Sequence, residues 1–143
     1  MNVTIRQAVQ EELEWVNEQY RKVQFQPSIF EQEVIAIVEV EGERVGLGRL
    51  VNIDEQNLEL GGMYVIEKCR GYGLARNLIT YLLHHAEQKM VYCLPFEHLQ
   101  QFYMGCGFEP VTDKSNVPDK VIEKWEWCQQ TYPEPTLLLQ QQV

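Results

Sequence analysis

The chain has 143 residues, 45% hydrophobic and 23% charged, which predicts one globular domain over residues 1–143, long enough to bury roughly two-thirds of its extended surface. A net charge of −9 argues against a nucleic-acid partner, which needs a basic face, and fits an amine-bearing one. Met1–Ile5 lacks the basic and apolar regions of a signal peptide, no apolar run approaches the ~20 residues that span a membrane, and neither cysteines nor histidines show ligand spacing, so a cytoplasmic, metal-free protein with reduced thiols is expected.

Val3 and Ile5 alternate with polar residues and predict a short first strand. Leu13, Val16, Tyr20 and Val23 recur at spacings of three, four and three, which predicts a helix. Pro27 marks a loop or helix break in Phe25–Phe30. Val34–Val38 reads as a buried strand, turned back at Glu41-Gly42 into Val45–Val51 as a β-hairpin. Asp54–Asn57 is the next turn, and Leu58–Val65 a third strand whose Gly61-Gly62 marks a bulge or close approach. A helix is predicted from about Tyr72 to Gln88, with Leu74, Leu78, Leu82 and Ala86 on its inner face, followed by a strand over Met90–Leu94. Strand, glycine turn, helix and strand form a βαβ unit, so its two strands should run parallel. Leu99, Phe102 and Tyr103 sit on a short helix, and Gly107-Phe108 opens another strand. Asn116-Val117-Pro118 starts a last helix carrying Val121, Trp125 and Cys128, which Pro133 and Pro135 end before a strand over Thr136–Leu139.

Arg70-Gly71-Tyr72-Gly73-Leu74-Ala75 is the sharpest signal. Two glycines leave the backbone bare where a helix begins, and a helix start offers unpaired N–H groups and the positive end of the dipole. Such a turn cradles a phosphate. Lys68, Arg70 and Arg76 add cations beside it, although cations there oppose the dipole unless an anion is present. A Walker A loop would need Lys-Ser/Thr where Leu74-Ala75 stands, and a dinucleotide fingerprint would need a small residue where Arg76 stands.

At these residues the chain resembles the GCN5-related N-acetyltransferase (GNAT) superfamily. Arg70-Gly71-Tyr72-Gly73-Leu74-Ala75 fits its Gln/Arg-x-x-Gly-x-Gly/Ala signature, and Phe102-Tyr103-Met104-Gly105-Cys106-Gly107-Phe108 fits Phe-Tyr-x-x-x-Gly-Phe, one helix and one strand later. The sequence departs from the family at Glu67, where proline is usual, at Asn77 and near Phe96. The resemblance implies an α/β (α+β) fold: a mixed sheet in which an antiparallel meander joins a parallel pair through the βαβ unit, with helices on both faces. It also implies acetyl-CoA as co-substrate. Backbone N–H groups of Arg70, Gly71, Tyr72, Gly73, Leu74, Ala75 and Arg76 would hold its pyrophosphate, the edge at Met63, Tyr64 and Val65 would pair with its pantetheine, and Leu94 would line the other wall. A backbone N–H near Tyr64 or Val65 would polarise the acyl carbonyl.

The implied reaction moves an acetyl group to a primary amine of a small molecule or peptide by direct attack in a ternary complex. The amine must lose a proton and the departing thiolate gains one. The resemblance gives Glu59 the place of the base and Tyr103 that of the acid, with Glu55 a second choice of base. Glu59 alternates with Leu58 and Leu60, so it reads equally as a solvent-facing strand residue. Tyr103 could equally pack in the core, and Cys93 reads as a small buried hydrophobe before an acyl-carrying nucleophile. Trp125 reads as core, whereas Trp127 faces elsewhere. Arg21–Phe30 and Asp113–Glu134 would wall the acceptor pocket. A homodimer is compatible with these readings, and a non-catalytic CoA-binding regulatory module of the same fold is the alternative function.

Overall fold

Glu41 and Gly42 both take positive φ, 52° and 80°, as the tightest hairpin turn requires. They fold β2 (Glu33–Val40) back onto β3 (Glu43–Asn52) in antiparallel register from Val40↔Glu43 to Glu33↔Val51. β1 (Val3–Gln7) lies antiparallel on the other side of β2, from Val3↔Val40 to Gln7↔Ala36. A computed structural model describes the whole chain, Met1–Val143. The remaining elements are α1 (Leu13–Lys22), β4 (Asn57–Val65), α2 (Leu74–Leu83), β5 (Met90–Cys93), α3 (Gln100–Gly105), β6 (Glu109–Pro110), α4 (Asp119–Thr131) and β7 (Leu139–Gln142). The seven strands form one mixed sheet in the order β1-β2-β3-β4-β5-β7-β6. Its one parallel ladder is β4 with β5, Asn57↔Met90 to Leu60↔Cys93, as the βαβ unit requires. No helix is long and apolar enough to cross a membrane.

Contacts divide the chain into two units, Met1–Val51 with Gly62–His85 and Asn52–Gly61 with Ala86–Val143. In the first, strand alternation separates two faces. Ile35, Ile37 and Leu47 pack with Val16 and Tyr20 of α1 on one. The other face is thinned for α2: a methyl group on Gly48 would run into the Met63 sulfur and lie 3.2 Å from Leu82. α2 covers it with Leu74, Leu78, Ile79 and Leu82.

In the second unit Tyr92, Val117, Val121 and Leu138 form a core with Leu94, Ile122 and Trp125 against it. The Trp125 indole N–H donates to the Thr136 carbonyl at 2.8 Å, which gives this large ring its polar partner. Trp127, two residues on, stays exposed.

Several boundaries differ from the sequence reading: α2 starts at Leu74 rather than Tyr72, and the strand expected to open at Gly107-Phe108 is β6, which starts at Glu109 because Gly107 turns left-handed at φ 100°. α2 ends at Leu83 rather than Gln88: the chain tightens at His85, whose N–H donates to the Leu82 carbonyl at 2.9 Å, and Glu87 and Gln88 then turn left-handed at φ 53° and 65°; Ala86 is buried beyond the helix. The last strand begins at Leu139 rather than Thr136, which makes only an isolated bridge to Phe96.

Candidate active site

The glycine turn belongs to the first unit. β4 ends at Val65, one short turn covers Glu67–Cys69, and Gly71 and Gly73 follow at φ 88° and 79°. Those angles favour glycine. A methyl group on either glycine would meet no atom within 4 Å, so the turn is bare on its outer side. Gly73 caps α2 without a side-chain hydrogen bond. The first-turn amides therefore keep the anion-binding character of a helix start. Tyr72 between the glycines is 62% exposed, and Lys68 and Arg76 are exposed beside it. Arg70 is tied back to its own strand: its Nε donates to the Val65 carbonyl at 2.8 Å, and its guanidinium carbon lies 5.8 Å from the centre of the Tyr64 ring. Leu74 is buried and Ala75 half-buried. Met63 and Tyr64 are half-buried and Val65 is buried, with Tyr64 against the Tyr20 cluster.

The same unit holds a polar cluster that strand alternation did not reveal. Arg49 in β3 is 6% exposed. Its Nη1 donates to the Ser28 hydroxyl at 2.7 Å, its guanidinium carbon stands 4.3 Å from the centre of the Tyr20 ring, and Glu33 lies 3.9 Å away. The Tyr20 hydroxyl is buried with no hydrogen-bond partner, and burial pushes its ionisation up. Gly62, at φ 61°, passes over this cluster; a methyl group there would sit 2.5 Å from the Tyr20 hydroxyl and 2.9 Å from Arg49 Nε.

Glu59 and Tyr103 belong to the second unit, with Leu94. Glu59 is 5% exposed, so it is not a solvent-facing residue. α4 covers it: Lys124 Nζ donates to Glu59 Oε2 at 2.7 Å. The two ends of this pair differ, the Glu59 side chain being 6% exposed and that of Lys124 35%. Gly61 leaves room beside the carboxylate, since a methyl group there would lie 3.5 Å from Oε2. Tyr103 is buried, edge-on to Phe102 and Phe108 at 5.1 and 6.1 Å between ring centres. Burial, with the Cys93 thiol nearby, pushes its phenol well up, so it stays protonated and able to donate. Burial likewise pushes the Cys93 thiol well up, with Glu59 adding to it, and a thiol so held is a poor nucleophile. Leu94 is half-buried against the Tyr92 core, and Glu55 is exposed in the turn before β4.

A buried carboxylate holding an ammonium can take a proton from an amine, and a protonated phenol can give one to a leaving group. Lys124 was not foreseen. Its signal was a lysine interrupting the apolar stripe Val121, Lys124, Cys128 at spacings of three and four.

No curated protein sequence matches the chain. Solved structures do match its fold. N-acetylglutamate synthase from Neisseria gonorrhoeae, complexed with coenzyme A and L-arginine, is 14% identical at a TM-score of 0.75, over 99% of this chain and 33% of that one. The chain thus spans about a third of that protein's length. Escherichia coli ElaA is 19% identical at a TM-score of 0.71, over 99% of this chain and 100% of that one. A GNAT family acetyltransferase from Elizabethkingia anophelis with acetyl-CoA bound is 15% identical at 0.69, over 99% of both chains. The sequence profile of the acetyltransferase (GNAT) family matches residues 3–108. Both sequence signatures lie within those residues, and the chain belongs to the acetyltransferase (GNAT) family.

Proposed function

We propose that this chain transfers an acetyl group from acetyl-CoA to a primary amine of a small molecule or peptide, by direct attack in a ternary complex. The observation that carries the reading is the bare turn at Gly71 and Gly73, which opens the start of α2 to an anion. Family membership and relatives solved with coenzyme A or acetyl-CoA support coenzyme A as the owner of that anion.

On this reading the backbone N–H groups from Arg70 to Arg76 hold the pyrophosphate, with Gly71, Tyr72, Gly73, Leu74 and Ala75 between them. Met63, Tyr64 and Val65 offer backbone groups to the pantetheine arm, and Leu94 gives it an apolar wall. When bound, the co-substrate supplies an activated acetyl group. Glu59 takes a proton from the acceptor ammonium, and Tyr103 gives one to the departing sulfur. The buried setting of both groups supports these roles, because a preorganised donor and acceptor away from bulk water act more strongly than in it.

The test is an assay of free thiol released from acetyl-CoA across a panel of amines, run beside a thermal-shift titration with CoA. Thiol release that depends on an amine is expected, with stabilisation of about 2.7 kcal/mol at 100 times the dissociation constant. Stabilisation without release on any amine would make the chain a CoA-binding module. The absence of both effects would remove coenzyme A from the reading.

A further inference from the structure

The chain already places a primary amine on the carboxylate that the proposed reaction uses as its base. Lys124 Nζ is 2.7 Å from Glu59 Oε2, the separation an acceptor ammonium would take before giving up its proton. The lysine is not sealed into the core. Its side chain is 35% exposed and enters from α4, whereas the carboxylate it meets is 6% exposed. Glu59 has no second cation in hydrogen-bond contact. An external amine must therefore displace Lys124 or wait for it to leave.

We infer that Lys124 is itself an acceptor, and that the protein acetylates its own Lys124 Nζ from acetyl-CoA. The inference rests on the proposed transferase reading. Glu59 takes one proton from the Lys124 ammonium. The freed nitrogen pair forms a bond to the acetyl carbon, and the bond from that carbon to sulfur breaks. The nitrogen's second proton ends on the CoA thiol, relayed by Tyr103, and the proton on Glu59 passes to water. The products are an amide at Lys124, free CoA thiol and one proton. A tethered amine has the advantage of proximity, which raises effective concentration far above that of a dissolved one.

The amide has no charge, so acetylation removes the cation from Glu59. The carboxylate is then buried without its partner, which costs stability. It is also no longer occupied by the chain's own amine. The modification thus leaves a physical trace in the folded protein apart from the reaction that made it.

The test incubates full-length protein with acetyl-CoA and no acceptor, then maps acetyl groups by peptide mass spectrometry. A urea-unfolded sample reports purely chemical acetylation. Labelling concentrated on Lys124 is expected, at a rate constant independent of protein concentration, at least tenfold above the unfolded sample and slowed at least tenfold in Glu59→Gln. After dialysis the labelled protein should melt below the unlabelled one. Label spread equally over Lys22, Lys68, Lys120 and Lys124, or equal labelling in urea, would overturn the proposal. So would an unlabelled Lys124 in a protein that binds acetyl-CoA and releases thiol with an external amine; there the transferase reading survives alone. A protein that neither binds acetyl-CoA nor turns over amines removes both.

Discussion

The guanidinium carbon of Arg49 stands 4.3 Å from the centre of the Tyr20 ring, while the Tyr20 hydroxyl beside it finds no hydrogen-bond partner. The ring, not the hydroxyl, is what this contact uses. Tyr20→Phe should therefore leave stability unchanged or raise it, because a buried hydroxyl without a partner costs about 1–3 kcal/mol. Gly62→Ala should destabilise, since a left-handed non-glycine residue costs ~1–2 kcal/mol and the methyl would meet the hydroxyl at 2.5 Å. The double variant should recover part of that loss. Denaturant melts of the four proteins read the coupling. Strict additivity would show that Gly62 does not make room for the hydroxyl.

Gly73→Asp should remove stabilisation by CoA while the unliganded protein still folds. The substitution puts a negative side chain at the anion cradle and strains a residue at φ 79°, at a cost of about 1–2 kcal/mol. Circular dichroism checks the fold and a thermal-shift titration checks binding. A folded variant with unaltered CoA affinity would make the turn a structural feature alone.

Tyr103→Phe should lower turnover by ~10²–10⁴-fold, the range of a positioned acid, and leave CoA affinity within a few-fold. Phenylalanine keeps the edge-on contacts with Phe102 and Phe108 and removes only the hydroxyl, and with it the proton donor. Burial holds the phenol well above its ordinary range, so the wild-type rate should show no basic limb from this group. Steady-state rates at saturating substrates decide; a loss below threefold would leave the thiolate to water.

Glu12 should set part of the acid sensitivity. Both its oxygens accept from Arg6, at 2.7 and 2.8 Å, and Arg44 adds a contact at 3.3 Å. The hydrogen bonds from Arg6 hold its carboxyl down, from 4.5 to about 2. A lowered folded value means stability that is present above pH 4.5 and lost as pH falls toward 2. Both arginines are about a third exposed, so solvent screens the gain to about 1 kcal/mol. In Glu12→Gln, melting temperature should fall less steeply over that window; an unaltered slope would place the acid sensitivity in other carboxylates.

What the sequence shows plainly here is local. The turn at Glu41-Gly42, the glycines before α2 and the βαβ order are written in neighbouring residues, and periodicity finds the helices. The setting of Glu59 is not local: its cover, Lys124, is 65 residues away in sequence. Alternation with Leu58 and Leu60 gave Glu59 a face of the strand but not what lies on that face. Arg49 was hidden in the same way, because Ser28, Tyr20 and Glu33 reach it from a loop, a helix and a neighbouring strand. The end of α2 is not legible in the sequence because no glycine marks it; Glu87 and Gln88 turn left-handed without one.

β6 closes the sheet with two residues, Glu109 and Pro110, paired to Gln140 and Leu139 of β7. Proline has no N–H to offer outward, and the adjoining glutamate is charged and exposed. A further strand laid along that margin would find almost no ladder to join. This border thus gives a second copy almost nothing to extend, and any growth of the sheet by strand addition is confined to the opposite edge, β1.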